Sequence, residues 1–526
     1  MASTLEYGNQ EKAVETRHLR VYRASDGDGS GHFDEFDVPI EGCPTLLDAL
    51  RWIQRNCDPS LSLRHSCLHA SCGTCGVRVD GREELACVCS LAACGDDIRV
   101  EPLANLPTLT DVVADMRPLY DRFPDEHPLI RVSEVPAAVP PADETFTRLD
   151  DCIECALCFS ACPVAGPETG FVGPAALAAA ARSLEKPRED LLGWVNGPGG
   201  VWQCTTCMAC VDRCPAGIEP MRAIVDMRRA LVERGDVDPL LQRTLQNVAM
   251  QGNSYGRSAR TRARWTKGLD FAIPDARKEP VEYVWFVGDF ASFDQRVQHE
   301  SRRLARILHD SGVSFGLLFD GERNAGNDVR QSGEQGLFEL LVEHNMNALA
   351  DAQFEAIFTT DPHSLNALRN DYRQYGLAKP VYHYTELLAD LATRGTLALG
   401  PTLAGTRVTY HDPCYLARYN GVTDAPRALI AATGAELVEM PRHGTNTFCC
   451  GAGGGRIWSA ETEAGERPSE QRIREAQALG GIDYFVVSCP KDLTMYTAAA
   501  LTVGGVGFEV VDLTALLERA LPQGVT

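Results

Sequence analysis

The chain has 526 residues, 20 cysteines and a formal net charge of −22, enough length for three or four domains with buried cores that need no disulfide staples. The acidic balance argues against nucleic-acid binding, which requires a basic face. No apolar run approaches the ~18–20 residues of a membrane span. The polar N-terminal stretch MASTLEYGNQEKAVETR contains no export signal. We therefore expect a cytoplasmic protein, or one held peripherally on the inner face of the cell membrane, whose cysteines bind metal.

The predicted elements change character along the chain. Residues 18–40 are predicted as two strands joined by an Asp/Gly turn, and 45–56 as a helix. A cysteine-rich loop and a strand-like GVRVDGR follow. The Pro/Ala/acid-rich stretch 133–146 is predicted as a linker, and 150–230 as mostly helical with cysteine clusters between the helices.

The remainder of the chain begins with a basic stretch, GRSARTRARWTKG (256–268), which is predicted as a solvated helix or linker. From residue 281 onward strand and helix alternate, which indicates an α/β architecture. This part repeats itself, because GDFASFD corresponds to DPCYLAR and VYHYTELLADL to EVVDLTALLERAL. The two copies share a layout, but only the second contains cysteines.

The first cysteine set has the plant-type 2Fe–2S spacing, C-x4-C-x2-C with a more distant fourth cysteine. It consists of Cys67, Cys72, Cys75 and Cys87. The glycine-bearing loop SCGTCG is suited to wrap one cluster edge with its backbone amides toward the sulfurs. Four cysteines lie outside the pattern and are predicted to be small buried apolar residues rather than ligands: Cys43, Cys57, Cys89 and Cys94.

Two tandem C-x2-C-x2-C-x3-C-P runs follow, the signature of a two-cluster ferredoxin in which the last cysteine of each run ligates the other cluster. Each run therefore predicts one 4Fe–4S cluster. Cluster one is assigned Cys152, Cys155, Cys158 and Cys214, and cluster two Cys204, Cys207, Cys210 and Cys162. Structural zinc would need neither the third cysteine nor the Cys-Pro ending.

The fourth set is Cys414, Cys449, Cys450 and Cys489. Adjacent cysteines do not easily face one ordinary cubane, so the doublet predicts a further 4Fe–4S cluster with an unusual geometry or an open coordination position. Asp492 stands where C-P-x-C would place another cysteine, and both an iron-ligating carboxylate and a solvated helix-start aspartate remain open. The glycine run GAGGG (451–455) is interpreted as close backbone approach to a cluster.

The first 250 residues resemble the iron–sulfur subunits of succinate dehydrogenase and fumarate reductase. LLDALRWIQ, DPSLSLRHSCLHASCGTCGVRVDGREELAC, VEPLANLPTLTDVVADM and the two ferredoxin runs carry the resemblance. It implies an FAD-containing flavoprotein partner and a quinone or membrane anchor. Cys207 departs from the family, which lacks this cysteine and holds a 3Fe–4S cluster, so 4Fe–4S is expected here. The family's tryptophan pair is missing from CPVAGPETGF, which argues against direct quinone reduction by this half.

The second half resembles the CCG-domain family, found in heterodisulfide reductase and in iron–sulfur subunits of glycolate, lactate and glycerol-3-phosphate dehydrogenases. YHDPCYLARYNGVTDAPR, FCCGAGGGRIW and SCPKD carry this resemblance. Members usually hold two CCG motifs, but the first is emptied in this chain. Its would-be ligand positions are Asp289, Asn324, Ala325, Asp361 and Ser364. The fused arrangement is similar to that of the thiol:fumarate reductase type.

Taken together, the motifs predict an α+β multidomain chain. The expected domains are a β-grasp plant-type 2Fe–2S ferredoxin domain (17–115), a helical 4Fe–4S ferredoxin domain (140–250), a degenerate CCG repeat without cysteines (281–398) and an intact α/β CCG repeat (405–522). The expected function is the iron–sulfur electron-transfer subunit of a succinate dehydrogenase/fumarate reductase-type oxidoreductase. It would connect an FAD dicarboxylate subunit with a quinone or a thiol/disulfide acceptor. The alternatives are a thiol/disulfide reductase subunit and the iron–sulfur subunit of a 2-hydroxyacid or glycerol-3-phosphate dehydrogenase.

Overall fold

The computed structural model describes residues 15–25, 31–124, 149–166, 168–183, 189–459 and 465–522. The predicted linker 133–146 lies outside them. The chain divides into two compact units. The first consists of Met1–Arg122, Asp150–Ala161 and Arg213–Ile218, and the second of Phe123–Leu149, Cys162–Asp212 and Glu219–Thr526. Within the described part of the chain, no helix has the length and apolar character needed to cross a membrane.

The first unit is built on a five-stranded mixed sheet. Its strands are β1 (Thr16–Arg23), β2 (His32–Pro39), β3 (Gly76–Val79), β4 (Arg82–Leu85) and β5 (Asp97–Glu101), in the order β2-β1-β5-β3-β4. β1 and β5 are parallel, whereas the other neighbours are antiparallel. A small antiparallel pair and three helices complete this unit: β6 (Thr108–Thr110), β7 (Val113–Ala114), α1 (Leu46–Asn56), α2 (Arg117–Tyr120) and α3 (Leu157–Ser160).

Helix α1 forms where the sequence predicts it. The Thr45 hydroxyl caps the helix by accepting the Asp48 N–H at 3.2 Å. Leu46, Leu50 and Ile53 recur at helical spacing and are buried, so one face of the helix packs toward the sheet.

The predicted strand GVRVDGR becomes the hairpin of β3 and β4. Asp80 and Gly81 both adopt positive φ in its two-residue turn, as hairpins with matched strand twist require. This hairpin leads from the cysteine-rich loop to Cys87.

The second unit begins with helices that accompany the cysteine runs. They are α4 (Pro174–Ser183), α5 (Glu189–Val195), α6 (Ala209–Asp212), α7 (Pro220–Arg234) and α8 (Pro239–Gln251). The basic stretch then forms 3₁₀ turns over Ala259–Gly268. Its predicted solvation is wrong for Arg262 and Trp265, which are buried. Arg262 is held inside because it forms ion pairs with two buried carboxylates, those of Asp289 and Glu322.

Two four-stranded parallel sheets follow, and they have the same topology. The first sheet has the order β11-β10-β8-β9 and the second β13-β12-β14-β15. In each sheet the first strand along the chain lies between the second and the third. The strands are β8 (Tyr283–Trp285), β9 (Phe315–Gly316), β10 (Ala356–Thr359), β11 (Val381–His383), β12 (Arg407–Tyr410), β13 (Glu436–Leu437), β14 (Tyr484–Val487) and β15 (Glu509–Asp512). The repeat seen in the sequence is thus also a repeat of sheet topology.

Eleven α-helices of the described chain accompany these two sheets. They are α9 (Asp289–Phe293), α10 (Gln298–Asp310), α11 (Asn327–Gln331), α12 (Gln335–Ala350), α13 (Pro362–Asn366), α14 (Tyr384–Thr393), α15 (Cys414–Asn420), α16 (Asp424–Ala432), α17 (Pro468–Gln477), α18 (Pro490–Val503) and α19 (Leu513–Ala520). Cys414 follows β12 and Cys489 follows β14. Because the carboxyl ends of parallel neighbours meet at one sheet edge, the two cysteines lie on the same side of the second sheet.

One apolar core joins the two sheets. It contains Trp285 and Phe358 from the first sheet and Val408 and Phe485 from the second. All four side chains are fully buried, so the emptied repeat and the intact repeat stabilise each other through shared packing.

The Phe485→Ala variant tests this shared core. We expect the free energy of unfolding to fall by about 3–5 kcal/mol, because truncation leaves a cavity that a close-packed sheet interface fills poorly. Leu340→Ala, at an exposed position of α12, should change it by less than about 0.5 kcal/mol. Urea unfolding of the anaerobically purified chain, followed by circular dichroism, measures both. Equal effects of the two variants would contradict the shared core.

Candidate metal centres

The 2Fe–2S cysteines lie in the first unit, three in the irregular loop before β3 and one just after β4. Backbone amides of the loop are directed at the sulfurs. The N–H groups of His69 and Ser71 donate to Cys67 Sγ at 3.5 and 3.3 Å, and that of Ala70 donates to Cys87 Sγ at 3.3 Å. The Ser71 hydroxyl and these amides lower the pKa of Cys67 to about 5. These groups therefore stabilise the Cys67 thiolate, the form that binds iron, whereas burial raises the pKa of Cys75 in the same loop to about 12.

The four cysteines outside the pattern differ from one another. Cys43 is buried, as predicted, whereas Cys57 is exposed, so the prediction of burial is wrong for Cys57. Cys89 and Cys94 are partly buried, with their Sγ atoms 3.8 Å apart. An exposed cysteine at the C-terminal cap of α1 costs little because it interrupts no packing.

The cysteines assigned to cluster one all belong to the first unit, including the crossing ligand Cys214. Burial raises the pKa of the Cys155 thiol to about 12, and the nearby charges of Cys214 and Cys152 add to this effect. Glu154 and Ala156 flank Cys155 at positive φ, a conformation that turns the short loop around the space between the thiols. The structure thus places Cys152 and Cys214 close enough to Cys155 for their charges to interact with its thiol.

A buried carboxylate holds the two segments of cluster one together. Glu83 on β4 accepts the Ser160 hydroxyl at 3.0 Å and Arg213 Nε at 3.2 Å. Ser160 ends α3, and Arg213 directly precedes Cys214. One glutamate on a strand therefore positions both the helix that follows the first cysteine run and the crossing cysteine of the second run.

The loop for the 2Fe–2S cluster contacts the loop for cluster one at Gly73. A Cβ atom added there would lie 2.7 Å from Ile153 O and 2.9 Å from Cys155 Cβ. Only glycine permits this approach, so the two candidate sites in the first unit are direct neighbours.

The cysteines assigned to cluster two, Cys162, Cys204, Cys207 and Cys210, all belong to the second unit. Burial raises the pKa of Cys210, and the charges of Cys204 and Cys162 raise it further. Thr206 and Met208 adopt positive φ, at the positions that correspond to Glu154 and Ala156 of the first run. The two runs therefore have matching local conformations.

The cysteines assigned to cluster two also have a neighbouring cation that no sequence motif indicates. Arg228 on α7 is fully buried and donates hydrogen bonds to backbone carbonyls. Its guanidinium reaches Cys204 O at 2.6 Å, Val201 O at 2.7 Å, Gln331 O at 2.9 Å and Gly454 O at 3.0 Å. Arg228 thus joins the ferredoxin loop to both CCG repeats. Helix periodicity marks Arg228 as a core-facing position, which is the one signal available in the sequence.

Two of the CCG cysteines, Cys414 and Cys450, lie around the Cys449 thiol. Hydrogen bonds from Cys207, Cys414 and Cys450 hold the pKa of Cys449 well below its usual range. Gly451 N–H donates to Cys449 Sγ at 3.3 Å. Cys414 begins α15 and Cys489 caps α18, so the set is supplied by one helix start, one loop and a second helix start.

The contact between Cys207 and Cys449 was not predicted. Cys207 belongs to the cluster-two set and Cys449 to the CCG set, and their thiols are hydrogen-bonded. These two candidate cluster sites are therefore adjacent within the second unit.

One face of α15 secures this contact. Tyr415 and Tyr419 stack with their ring centroids 4.2 Å apart, and their hydroxyls reach Thr206 Oγ1 and Thr206 O, each at 2.7 Å. Arg418 Nη1 donates to Cys207 O at 3.1 Å. The spacing of four residues between Tyr415 and Tyr419 places both on the ferredoxin side of the helix.

Asp492 is not the solvated aspartate that was one of the two open interpretations. It is 2% exposed, and burial raises its pKa to about 7 while the Cys450 thiol donates to it. Its Oδ2 atom has no hydrogen-bond partner and lies 3.6 Å from His411 Nε2. A buried carboxylate oxygen without a partner is costly, and an iron atom would satisfy it. Asp492 therefore fits the role of a cluster ligand. The backbone amides that donate to the cysteine sulfurs also fit the presence of bound clusters.

The glycine run after the doublet lies against the ferredoxin loop. A Cβ on Gly453 would lie 2.4 Å from Thr205 O, and one on Gly454 would lie 2.9 Å from Cys204 O. The backbone of the run thus closely approaches the loop that carries the cluster-two cysteines, and Arg228 bridges the two segments. The approach of the run to a cluster itself stays a prediction.

Comparison with known protein families assigns the three regions. Residues 18–121 match a 2Fe-2S iron-sulfur cluster binding domain, residues 148–218 a 4Fe-4S dicluster domain, and residues 291–369 and 408–495 a cysteine-rich domain called CCG. The order of 2Fe–2S, 4Fe–4S and CCG domains agrees with the order predicted from the motifs, and the assigned cofactors are 2Fe–2S and 4Fe–4S clusters.

Several curated proteins are similar to this chain. Over 58% of the chain it is 38% identical to the probable iron-sulfur-binding oxidoreductase FadF of Bacillus subtilis, and it spans less than half of that protein, 44% of its length. Over 96% of the chain it is 29% identical to a component of the fumarate reductase (CoM/CoB) of Methanothermobacter marburgensis, of which it spans 99%. Over 38% of the chain it is 34% identical to the fumarate reductase iron-sulfur subunit of Haemophilus influenzae, of which it spans 85%.

Paired cysteine substitutions test the crossed ligand assignment. We expect Cys214→Ser and Cys158→Ser to perturb one and the same 4Fe–4S signal, because both residues are assigned to cluster one. Cys162→Ser and Cys210→Ser should together perturb the other. Low-temperature electron paramagnetic resonance of the reduced chain reports each signal, and Cys43→Ser serves as the control with all signals intact. The assignment is wrong if Cys214→Ser reproduces the spectrum of Cys210→Ser.

Proposed function

The chain belongs to the family of fumarate reductase iron–sulfur subunits, and on that premise we propose that it is the electron-transfer subunit of a succinate dehydrogenase/fumarate reductase-type complex. The complex would connect an FAD-containing dicarboxylate subunit with a quinone or a thiol/disulfide acceptor. Clusters bound at the four cysteine sets would supply one-electron carriers.

The observation that carries this proposal is the thiol contact between Cys207 and Cys449. It supports a continuous electron route out of the ferredoxin region, because the cluster-two cysteine set contacts the intact CCG set. Within the first unit, the approach of Gly73 to Cys155 likewise makes the 2Fe–2S site and the cluster-one site neighbours. The crossed cysteines, Cys162 and Cys214, would link the two ferredoxin cysteine runs along the chain.

The side chains around the second contact have three tasks. Burial of Cys207, Cys414 and Cys449 excludes water from the space between the sets. The paired tyrosines of α15 fix the ferredoxin loop, and Arg228 places a permanent positive charge beside Cys204. A cation next to a site that gains electrons stabilises its reduced form. Cys207 would provide the fourth ligand that distinguishes a 4Fe–4S from a 3Fe–4S cluster.

We also propose a fold for each of the cluster-binding domains. The sheet order β2-β1-β5-β3-β4, with β1 and β5 parallel and α1 packed against it, supports a β-grasp ferredoxin fold for 17–115. The matching parallel sheets support tandem α/β CCG repeats at 281–398 and 405–522. The helical ferredoxin domain would then extend over 140–250. We place the complex in the cytoplasm, peripheral to the inner face of the cell membrane.

A cavity beside the CCG set favours a second candidate function, disulfide reduction at this site. Its volume is about 210 Å³, and its lining includes Pro163, Val164, Cys450, Ile457 and Met495. It is thus bounded by the segment after Cys162 as well as by the CCG doublet. A small acceptor there would contact Cys450 of the CCG set and the residues next to Cys162, which suits a compact disulfide.

The surface for the flavoprotein can be tested at Leu68 and Val88. These two apolar side chains are 49% and 52% exposed beside the ligands Cys67 and Cys87, and exposed apolar groups at a functional site indicate a partner surface. We expect Leu68→Asp and Val88→Asp each to weaken flavoprotein binding by about tenfold in Kd, or about 1.4 kcal/mol. Biolayer interferometry under anaerobic conditions measures the affinity.

The matched control for this surface is Leu501→Asp. Leu501 is also apolar and is 81% exposed, but it lies on α18 of the second unit. Its substitution should leave the affinity unchanged. If Leu501→Asp weakens flavoprotein binding to the same extent, the binding surface does not lie at the 2Fe–2S cluster loop.

The acceptor site is tested with Cys449→Ser in the complete complex. We expect dicarboxylate-linked turnover with the acceptor to fall by at least about 100-fold, since even changes around a metal ligand cost 10–100-fold. Substrate-dependent reduction of the 2Fe–2S signal should persist. The assay compares quinone analogues with small disulfides as acceptors, and each result selects one of the two functions. Unchanged turnover with every acceptor would refute electron exit through the CCG set.

A further inference from the structure

The core of the emptied repeat is filled by polar side chains that satisfy one another. Asn324 Nδ2 donates to Asp289 Oδ2 at 2.6 Å, and Ser364 Oγ donates to Asp361 Oδ2 at 2.8 Å. Ala325 lies among them. The space left at this position is only about 10 Å³, so the former ligand positions have closed into a hydrogen-bonded cluster.

One charge in this region comes from the intact repeat. Lys491, in the segment SCPKD two residues after Cys489, forms an ion pair through Nζ with Asp328 Oδ2. Asp328 lies on α11 of the emptied repeat, just after the vacated doublet position. Both side chains are buried. His363 of the emptied repeat holds the other carboxylate oxygen of Asp328, with Nδ1 3.0 Å from Oδ1.

The Lys491 charge acts on the proposed cluster ligands. Lys491 lies in the first turn of α18, two residues after the helix cap Cys489 and next to Asp492. All three side chains are buried, so the Lys491 charge acts on both candidate ligands without screening by water. A lysine is an expensive residue to bury, and only six lysines occur in the chain. Its position beside two candidate ligands therefore calls for a counter-ion, and Asp328 provides it.

We propose that the emptied repeat serves as the counter-ion site for Lys491, and that the Lys491–Asp328 pair sets the reduction potential of the cluster at the CCG site. This inference rests on the proposed function, which places a cluster at Cys414, Cys449, Cys450 and Cys489. A reduced cluster is more negative than its oxidised form, so the Lys491 cation favours reduction and the Asp328 anion disfavours it. The pair is a positioning and tuning device, because neither side chain has to contact an acceptor.

A purely structural ion pair makes a different prediction. Loss of either partner would then destabilise the same contact and affect the cluster in the same direction. A tuning pair gives shifts of opposite sign, because the charge that remains is positive in one variant and negative in the other. The sign of the shift therefore distinguishes the two roles.

The experiment measures the midpoint potential of the CCG cluster in the full chain by redox titration with electron paramagnetic resonance. We expect Lys491→Met to shift the potential downward and Asp328→Asn to shift it upward. The double variant Asp328→Asn/Lys491→Met should lie closer to the wild type than either single variant, because it loses one charge of each sign. Lys491→Arg, which keeps the charge, should stay near the wild-type value.

Asp371→Asn is the matched control. Asp371 lies in the same repeat and forms its own partly buried ion pair, with Arg330, but it does not act on the CCG cysteines. Its substitution should leave the potential unchanged. Shifts of the same sign in both single variants, or no shift in either, would overturn the proposal.

The iron content of each variant decides the remaining outcomes. If a single variant loses the CCG cluster, recovery of iron in the double variant supports the counter-ion role, and failure to recover it refutes that role. If the wild-type chain contains iron for the ferredoxin clusters alone, the proposed cluster at the CCG site is wrong. That outcome is a failure of the proposed function, and the wild-type measurement alone detects it.

Discussion

The arrangement of the second unit depends on one buried guanidinium, that of Arg228. Burying an arginine is costly unless its N–H groups are satisfied, and here backbone carbonyls of the ferredoxin loop and of both CCG repeats satisfy them. The carbonyls must converge on one point, so the three segments have little freedom to shift. Gly454 is required in this cluster, because a Cβ there would lie 2.9 Å from Arg228 Nη1. The adjacency of the two cysteine sets follows from the same convergence.

Electrostatics explains why an acidic chain buries several cations. The cysteine sets become anionic when they bind iron, and bound thiolates need positive charge nearby. Arg228 lies beside Cys204, Arg418 beside Cys207 and Lys491 beside Cys489. Positive side chains therefore lie at the proposed cluster sites of a chain whose net charge is −22.

The two CCG repeats share one sheet topology, although only the second contains cysteines. Both parallel sheets contribute to one apolar core, so the sheet structure does not require cysteines in both repeats. The vacated positions carry side chains that pair with each other, such as Asn324 with Asp289. Buried polar groups must be satisfied, and in the first repeat these side chains satisfy one another. Asp328 of this repeat also pairs with Lys491 of the second repeat.

The sequence by itself determined the cysteine sets, the order of the domains, the helix at 45–56 and the repeat, because each depends on short-range spacing or on hydrophobic periodicity. It did not determine the exposure of Cys57 or the burial of Arg262, since composition predicts average environments only. The tertiary structure alone decided which cysteine sets touch, why the glycine run must lack side chains and where Lys491 finds its counter-ion. The contact of Lys491 with Asp328 joins residues 163 positions apart in the chain, and that of Arg228 with Gly454 joins residues 226 positions apart. No local pattern encodes such pairs, because they arise only when separately folded segments converge on the same buried space.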